Sequence, residues 1–133
     1  MAGYSGKRLY QKLGIREDTR VLVYGFRGDY QRLVELMEFN VNVVTGGQNL
    51  EMVHAFVTTV VELEAVIDKY KLMIAKDGMI WISWPKKISG IETDLNENSI
   101  RDTALMKGLV DVKVCAIDDE WSGLKLIYRL KDR

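Results

Sequence analysis

Three short runs, VLVY (21–24), MVHAFV (52–57) and MIWISW (79–84), are apolar at nearly every position. They are too short to cross a membrane. A strand with no polar side has no face to give to water, so it must be covered on both sides. The second run is followed by a helical pattern, with Leu63, Val66, Ile67, Tyr70 and Ile74 on one face. That helix is predicted to start at Thr58 or Thr59, with Glu62 completing a capping box on Thr59, and to reach about Ala75. Strands alternating with helices in this way build a parallel sheet with helices on both faces.

The remaining elements fit the same plan. Residues 7–13 make a short helix ended by Gly14. The turn GFRGD (25–29) leads into a helix over 30–39 that carries Leu33, Val34, Leu36 and Met37. A short strand over 41–44 closes on Thr45-Gly46-Gly47, and Lys76-Asp77-Gly78 turns into the MIWISW run. A loop covers 85–93. Asp94, with Glu97 three residues on, starts a helix that ends near Gly108. Strands over 110–118 and 124–130 suit an antiparallel hairpin. Only about seven residues join Val44 to Met52, short for a parallel crossover. Extended, they reach roughly 23 Å against roughly 18 Å needed, so an extended crossover without a helix is preferred to an antiparallel edge pairing. All 133 residues are read as one domain.

Nineteen basic residues balance nineteen acidic ones. That balance offers no field to grip nucleic acid or an anionic membrane, and neither partner is expected. A single cysteine, Cys115, and an N-terminus without an apolar core point to the cytoplasm.

Two stretches, IREDTRVLVYG (15–25) and IAKDGMIWIS (74–83), resemble the approaches to the first and fifth strands of class I methyltransferases. The closing hairpin fits that family too. The fold implied is a three-layer α/β, Rossmann-like sheet, mostly parallel, with a C-terminal antiparallel hairpin: a trimmed class I methyltransferase topology. The whole chain is also similar to a family of small bacterial proteins of unknown function, through YSGKRLYQKLGI, SWPKKISGIETDL and VDVKVCAIDDEWSGLKL. The methyltransferase resemblance implies an S-adenosylmethionine site built on a Gly-rich turn. Of that turn only Gly25 is retained, with Arg27 and Asp29 at positions of glycine. Val23 and Thr45 stand where the family has acids, and Phe56-Val57-Thr58-Thr59 replaces its catalytic tetrapeptide. No cofactor is therefore predicted, S-adenosylmethionine being disfavoured, and no catalytic or metal-binding set is assembled.

The site expected instead lies beyond MIWISW. Pro85 stops the ladder, Lys86 and Lys87 follow, Ser89-Gly90 changes direction, and Thr93 and Asp94 cap a helix. In open α/β sheets ligands bind beyond the carboxyl ends of strands. Lys86 and Lys87 would bring charge to a small anion, Ser89 and Thr93 hydroxyls, Gly90 the bend and Trp84 an apolar wall. The turn holding Gly25 and Arg27 would offer amides and a further charge. The expected function is small-anion binding without methyltransferase activity. Alternatives are an interaction module or homodimer using Trp84, Trp121, Tyr4 and Tyr10, and a divergent methyltransferase. Convergence of Lys86 and Lys87 with Arg27 favours binding; filling of that edge by Tyr4 or Phe26 favours the interaction module. His54 and Cys115 are expected to be packing residues.

Overall fold

The computed structural model describes residues 6–133. Its elements run α1 (Leu9–Leu13), β1 (Arg20–Tyr24), α2 (Tyr30–Leu33), β2 (Asn42–Val44), β3 (Leu50–Phe56), α3 (Val60–Tyr70), β4 (Ile74–Pro85), α4 (Glu97–Met106), β5 (Leu109–Ala116) and β6 (Trp121–Tyr128). Six strands form one sheet in the order β2-β1-β3-β4-β6-β5. The first four are parallel, and β6 joins antiparallel to both β4 and β5. This is the Rossmann-like architecture that the sequence predicts.

The continuous apolar runs take the centre. In β3, Met52, Val53, His54, Ala55 and Phe56 are all buried, and in β4 the run from Ile80 to Trp84 is buried as well. Alternate side chains feed two cores. One packs Leu63, Val66 and Ile67 of α3 and Ile100 and Ala104 of α4 against Val53, Ile80 and Ile82. The other packs Leu9 and Leu13 of α1 and Tyr30 of α2 against Val21, Met52 and Trp81. The Trp81 indole N–H donates to the Leu13 carbonyl at 3.0 Å, which ties α1 to the sheet centre.

β2 is parallel to β1, and only residues 45–49 join it to β3. Val44 lies level with Leu22, whereas Leu50 precedes Met52, the partner of Val21. The link therefore returns about 10 Å along the strands and crosses about 9.6 Å, roughly 14 Å in a straight line. Six Cα steps reach about 20 Å, so no helix is required.

Several elements depart from expectation. The helix predicted to reach about Ala75 ends at Tyr70, and Ile74 opens β4 instead of lying on its face. The helix predicted over 30–39 ends at Leu33. The Gln31 amide group donates to the Leu36 and Phe39 carbonyls and its carbonyl accepts from the Val41 amide, so one side chain holds the following chain as a loop. β4 begins at Ile74 and takes in Lys76-Asp77-Gly78, because a bulge between Leu50 and Met52 absorbs the extra residues. A Cβ at Gly78 would lie 2.8 Å from the Leu50 carbonyl oxygen, so that bulge requires glycine. Finally, α4 starts at Glu97 with Asn96 as its cap, and Asp94 serves a different helix.

Candidate functional site

Chain direction divides between β1 and β3: β1 leads outward to β2, and the chain returns to β3 on the other side. Helices α1 and α2 cover one face and α3 and α4 the other. The carboxyl ends of β1 and β3 thus flank the switch point at which open α/β sheets form a ligand crevice.

The crevice is built from two turns. β1 ends at Tyr24, and Gly25 follows with φ of 79°. A Cβ at Gly25 would fall 2.3 Å from the Phe56 carbonyl oxygen, so the turn meets the end of β3 at a distance only glycine permits. Phe26 folds back over Gly28, where a Cβ would meet its ring at 2.7 Å, and its ring centroid lies 5.0 Å from that of Phe56. Asp29 caps α2 by accepting from the Arg32 amide at 3.2 Å. Among the described residues, the amides of Phe26, Arg27 and Gly28 make no hydrogen bond.

The other wall comes from the β3–α3 turn. Thr59 caps α3 as predicted, accepting from the Glu62 amide at 3.1 Å. The Glu62 carboxylate closes its box one residue earlier than predicted, on the Thr58 amide at 3.0 Å, and also accepts from the Tyr24 hydroxyl at 2.8 Å. That bond, with burial second, raises the Tyr24 phenol above its ordinary value. A half-buried carboxylate and a phenol therefore stand at the switch point, joined across two strands. Sequence reasoning missed this pair; the capping signal at Glu62 was the one local hint.

Behind the crevice lies a buried polar chain. Tyr30 Oη lies 2.7 Å from His54 Nδ1, and His54 Nε2 lies 2.7 Å from Ser83 Oγ. The imidazole stacks on Phe56 at 4.5 Å between centroids. Burial drives the His54 imidazole down to about 3, which keeps it neutral.

The predicted loop is organised differently from expectation. Trp84 is not an exposed wall: it pairs with Ser122 in the ladder and is buried in the core beneath α3 and α4. Lys86 is half-buried and its Nζ donates to the Asp118 carbonyl at 2.6 Å. Lys87 is exposed in a short 3-10 turn. Ser89 donates to the Lys86 carbonyl at 2.6 Å, and Gly90 takes φ of 74°. Thr93 donates to the Thr58 carbonyl at 2.6 Å, and Asp94 accepts from the Val60 amide at 2.9 Å. Thr93 and Asp94 therefore fasten the loop to the start of α3 and do not cap α4. Of the predicted cations only Lys86 lines the 760 Å³ cavity near this edge, so Lys86, Lys87 and Arg27 do not converge there. Phe26 packs beside Phe56, while Tyr4 lies outside the described residues. Cys115 is partly buried opposite Gly123, and burial pushes its thiol up. Among the described residues no helix is long and apolar enough to cross a membrane.

No family model and no curated protein matches the chain. Solved structures do. Fibrillarin from Aeropyrum pernix, with natively bound S-adenosyl-L-methionine, is 12% identical with a TM-score of 0.54, over 84% of this chain and 67% of that one. A TehB-like SAM-dependent methyltransferase from Corynebacterium glutamicum is 11% identical with a TM-score of 0.58, over 91% and 85%. A putative methyltransferase from Thermoplasma acidophilum is 12% identical with a TM-score of 0.55, over 98% and 77%. These neighbours correct two expectations. The names of the second and third as methyltransferases, and the S-adenosyl-L-methionine bound to the first, speak against anion binding without methyltransferase activity and against the reading of no cofactor. At such identities the likeness is one of fold: the chain carries a class I methyltransferase-like, Rossmann-like sheet.

Proposed function

We propose that the chain is a divergent methyltransferase that holds S-adenosylmethionine in the β1–β3 crevice. The observation that carries this reading is the glycine-only contact of Gly25 with the Phe56 carbonyl at the switch point of a methyltransferase-like sheet. The donor set fits the group. The amides of Phe26, Arg27 and Gly28 are open to an anionic end of the ligand. Phe26, partly exposed and backed by the buried Phe56, supplies apolar surface for a base, and the Glu62 carboxylate is an acceptor for ribose hydroxyls. Arg27 and Asp29, at positions where glycine is usual, are exposed, and the Asp29 carboxylate is engaged by the Arg32 amide. When bound, S-adenosylmethionine supplies a methyl group activated on a sulfonium; the chain's own part is to hold and orient it. Glu62, fixed by the Thr58 amide and the Tyr24 hydroxyl, is presented without rearrangement.

Titration calorimetry with S-adenosylhomocysteine and S-adenosylmethionine tests this. A micromolar dissociation constant, weakened at least tenfold by Glu62→Gln, is expected. No heat of binding up to millimolar ligand would overturn it.

A further inference from the structure

A cavity of about 760 Å³ lies over the other end of the sheet's carboxyl edge. Its floor is Ala116 and Ile117 at the end of β5, its walls come from α1 and α2, and Lys86 stands beside it. That volume is within the range of small-ligand sites, roughly 300–1,000 Å³. Of its thirteen described lining residues five are basic and three are acidic, an excess of two positive charges among them.

Two of the three acids are already engaged. One Asp118 carboxylate oxygen accepts from the Glu120 and Trp121 amides at 2.8 and 2.9 Å, which folds the β5–β6 turn. The Glu35 carboxylate accepts from the Leu9 amide at 2.8 Å, at the start of α1. Among the cations, Lys86 and Arg32 are less committed. Lys86 Nζ donates to one carbonyl, that of Asp118, and retains two further N–H groups. The Arg32 guanidinium has no hydrogen bond or ion pair to any described residue. A planar fork and an ammonium therefore border one concavity whose acids are largely occupied. That combination suits a phosphate or a carboxylate. The Asp119 carboxylate opposes such a group, as do those of Asp118 and Glu35, which leaves Arg32 and Lys86 to supply the attraction.

We propose that this cavity takes the phosphate or carboxylate group of the methyl acceptor, held by Arg32 and Lys86. The acceptor role rests on the methyltransferase reading, whereas the binding of the anion does not. Lys86 directly follows β4, the neighbour of β3 in the sheet, so acceptor and cofactor would meet across adjacent strand ends.

Two-dimensional amide NMR, titrated separately with inorganic pyrophosphate and with citrate at low salt, is the test. Saturable shifts confined to residues 32–35, 86 and 116–119 are expected with at least one probe, and which probe saturates distinguishes phosphate from carboxylate. Arg32→Gln with Lys86→Gln should raise the dissociation constant at least tenfold, and 0.5 M salt should weaken it. Lys87→Gln, an exposed neighbour, should bind as the parent does. S-adenosylhomocysteine added to the pyrophosphate complex should bind alongside it. Failure of S-adenosylhomocysteine to bind at all would sink the methyltransferase reading and with it the acceptor role. Non-saturating shifts, equal binding by the double variant, or mutual displacement of the two ligands would overturn the cavity itself.

Discussion

Tyr30 Oη and His54 Nδ1 lie 2.7 Å apart inside the sheet–helix interface, 24 residues apart in sequence. Helix α2 has only four residues, so this bond is a principal anchor of the β1–α2 turn. His54 passes the constraint on to Ser83 in the next strand. A single imidazole thus joins α2, β3 and β4 behind the crevice.

His54→Ala is expected to cost about 2–4 kcal/mol, because it leaves a cavity and strands two buried hydroxyls. Urea unfolding measures this directly. Retention of full stability would mean that Tyr30 and Ser83 find other partners.

The same residue makes stability depend on pH. Its folded value is about 3, below the ordinary 6.5, so the unfolded chain binds the proton more readily. Stability from keeping His54 neutral is complete above about pH 6.5 and falls as pH drops toward 3, by up to about 5 kcal/mol. Glu51 is held at about 2, first by its bond to Arg20, and its contribution is lost only as pH falls below its ordinary 4.5. Between pH 6.5 and 4.5 the slope belongs to His54. A flat stability profile across that window, by denaturant unfolding, contradicts this assignment.

Gly25→Ala and Gly90→Ala form a matched pair. Both glycines have positive φ, 79° and 74°, but only Gly25 faces a neighbour, since nothing lies within 4 Å of a Cβ at Gly90. Gly90→Ala should cost about 1 kcal/mol from backbone strain alone. Gly25→Ala should cost about 2–3 kcal/mol or more and weaken S-adenosylhomocysteine binding, because the turn must move off Phe56. Equal melting temperatures for the two variants would show that the turn relaxes freely.

Arg20 and Glu51 join the starts of β1 and β3 through two charge-assisted bonds, at 3.0 and 2.8 Å. Both side chains are over a third exposed, so solvent screening limits the pair to about 0.5–1 kcal/mol in a double-mutant cycle. The coupling should shrink in 1 M salt.

Much of the sheet is legible from the sequence because its central strands have no polar side. Gly14, Asp29 and Thr59 are legible as well, since each cap needs only its neighbours. What the sequence hides is long-range. Asp94 looks like the start of its own helix, yet its partner is Val60, 34 residues earlier. The pattern over 30–39 reads as one helix, but the Gln31 side chain outcompetes the last turns for the backbone. Tyr24 and Glu62 meet only after β1 and β3 pair. The site readings that relied on neighbours in sequence, Lys86 with Lys87 and Thr93 with Asp94, are separated by what each side chain finds across the fold.

The five-residue link from β2 to β3 behaves as a tether with little slack. It covers roughly 14 Å with a reach of about 20 Å, so removing two residues would leave it nearly taut and pull β2 off the sheet edge. Lengthening is far cheaper, since doubling a flexible loop costs only about 0.6 kcal/mol. The tolerance is therefore one-sided. At this edge the fold can gain chain freely and can lose almost none, which makes 45–49 a place for insertion and a poor place for trimming.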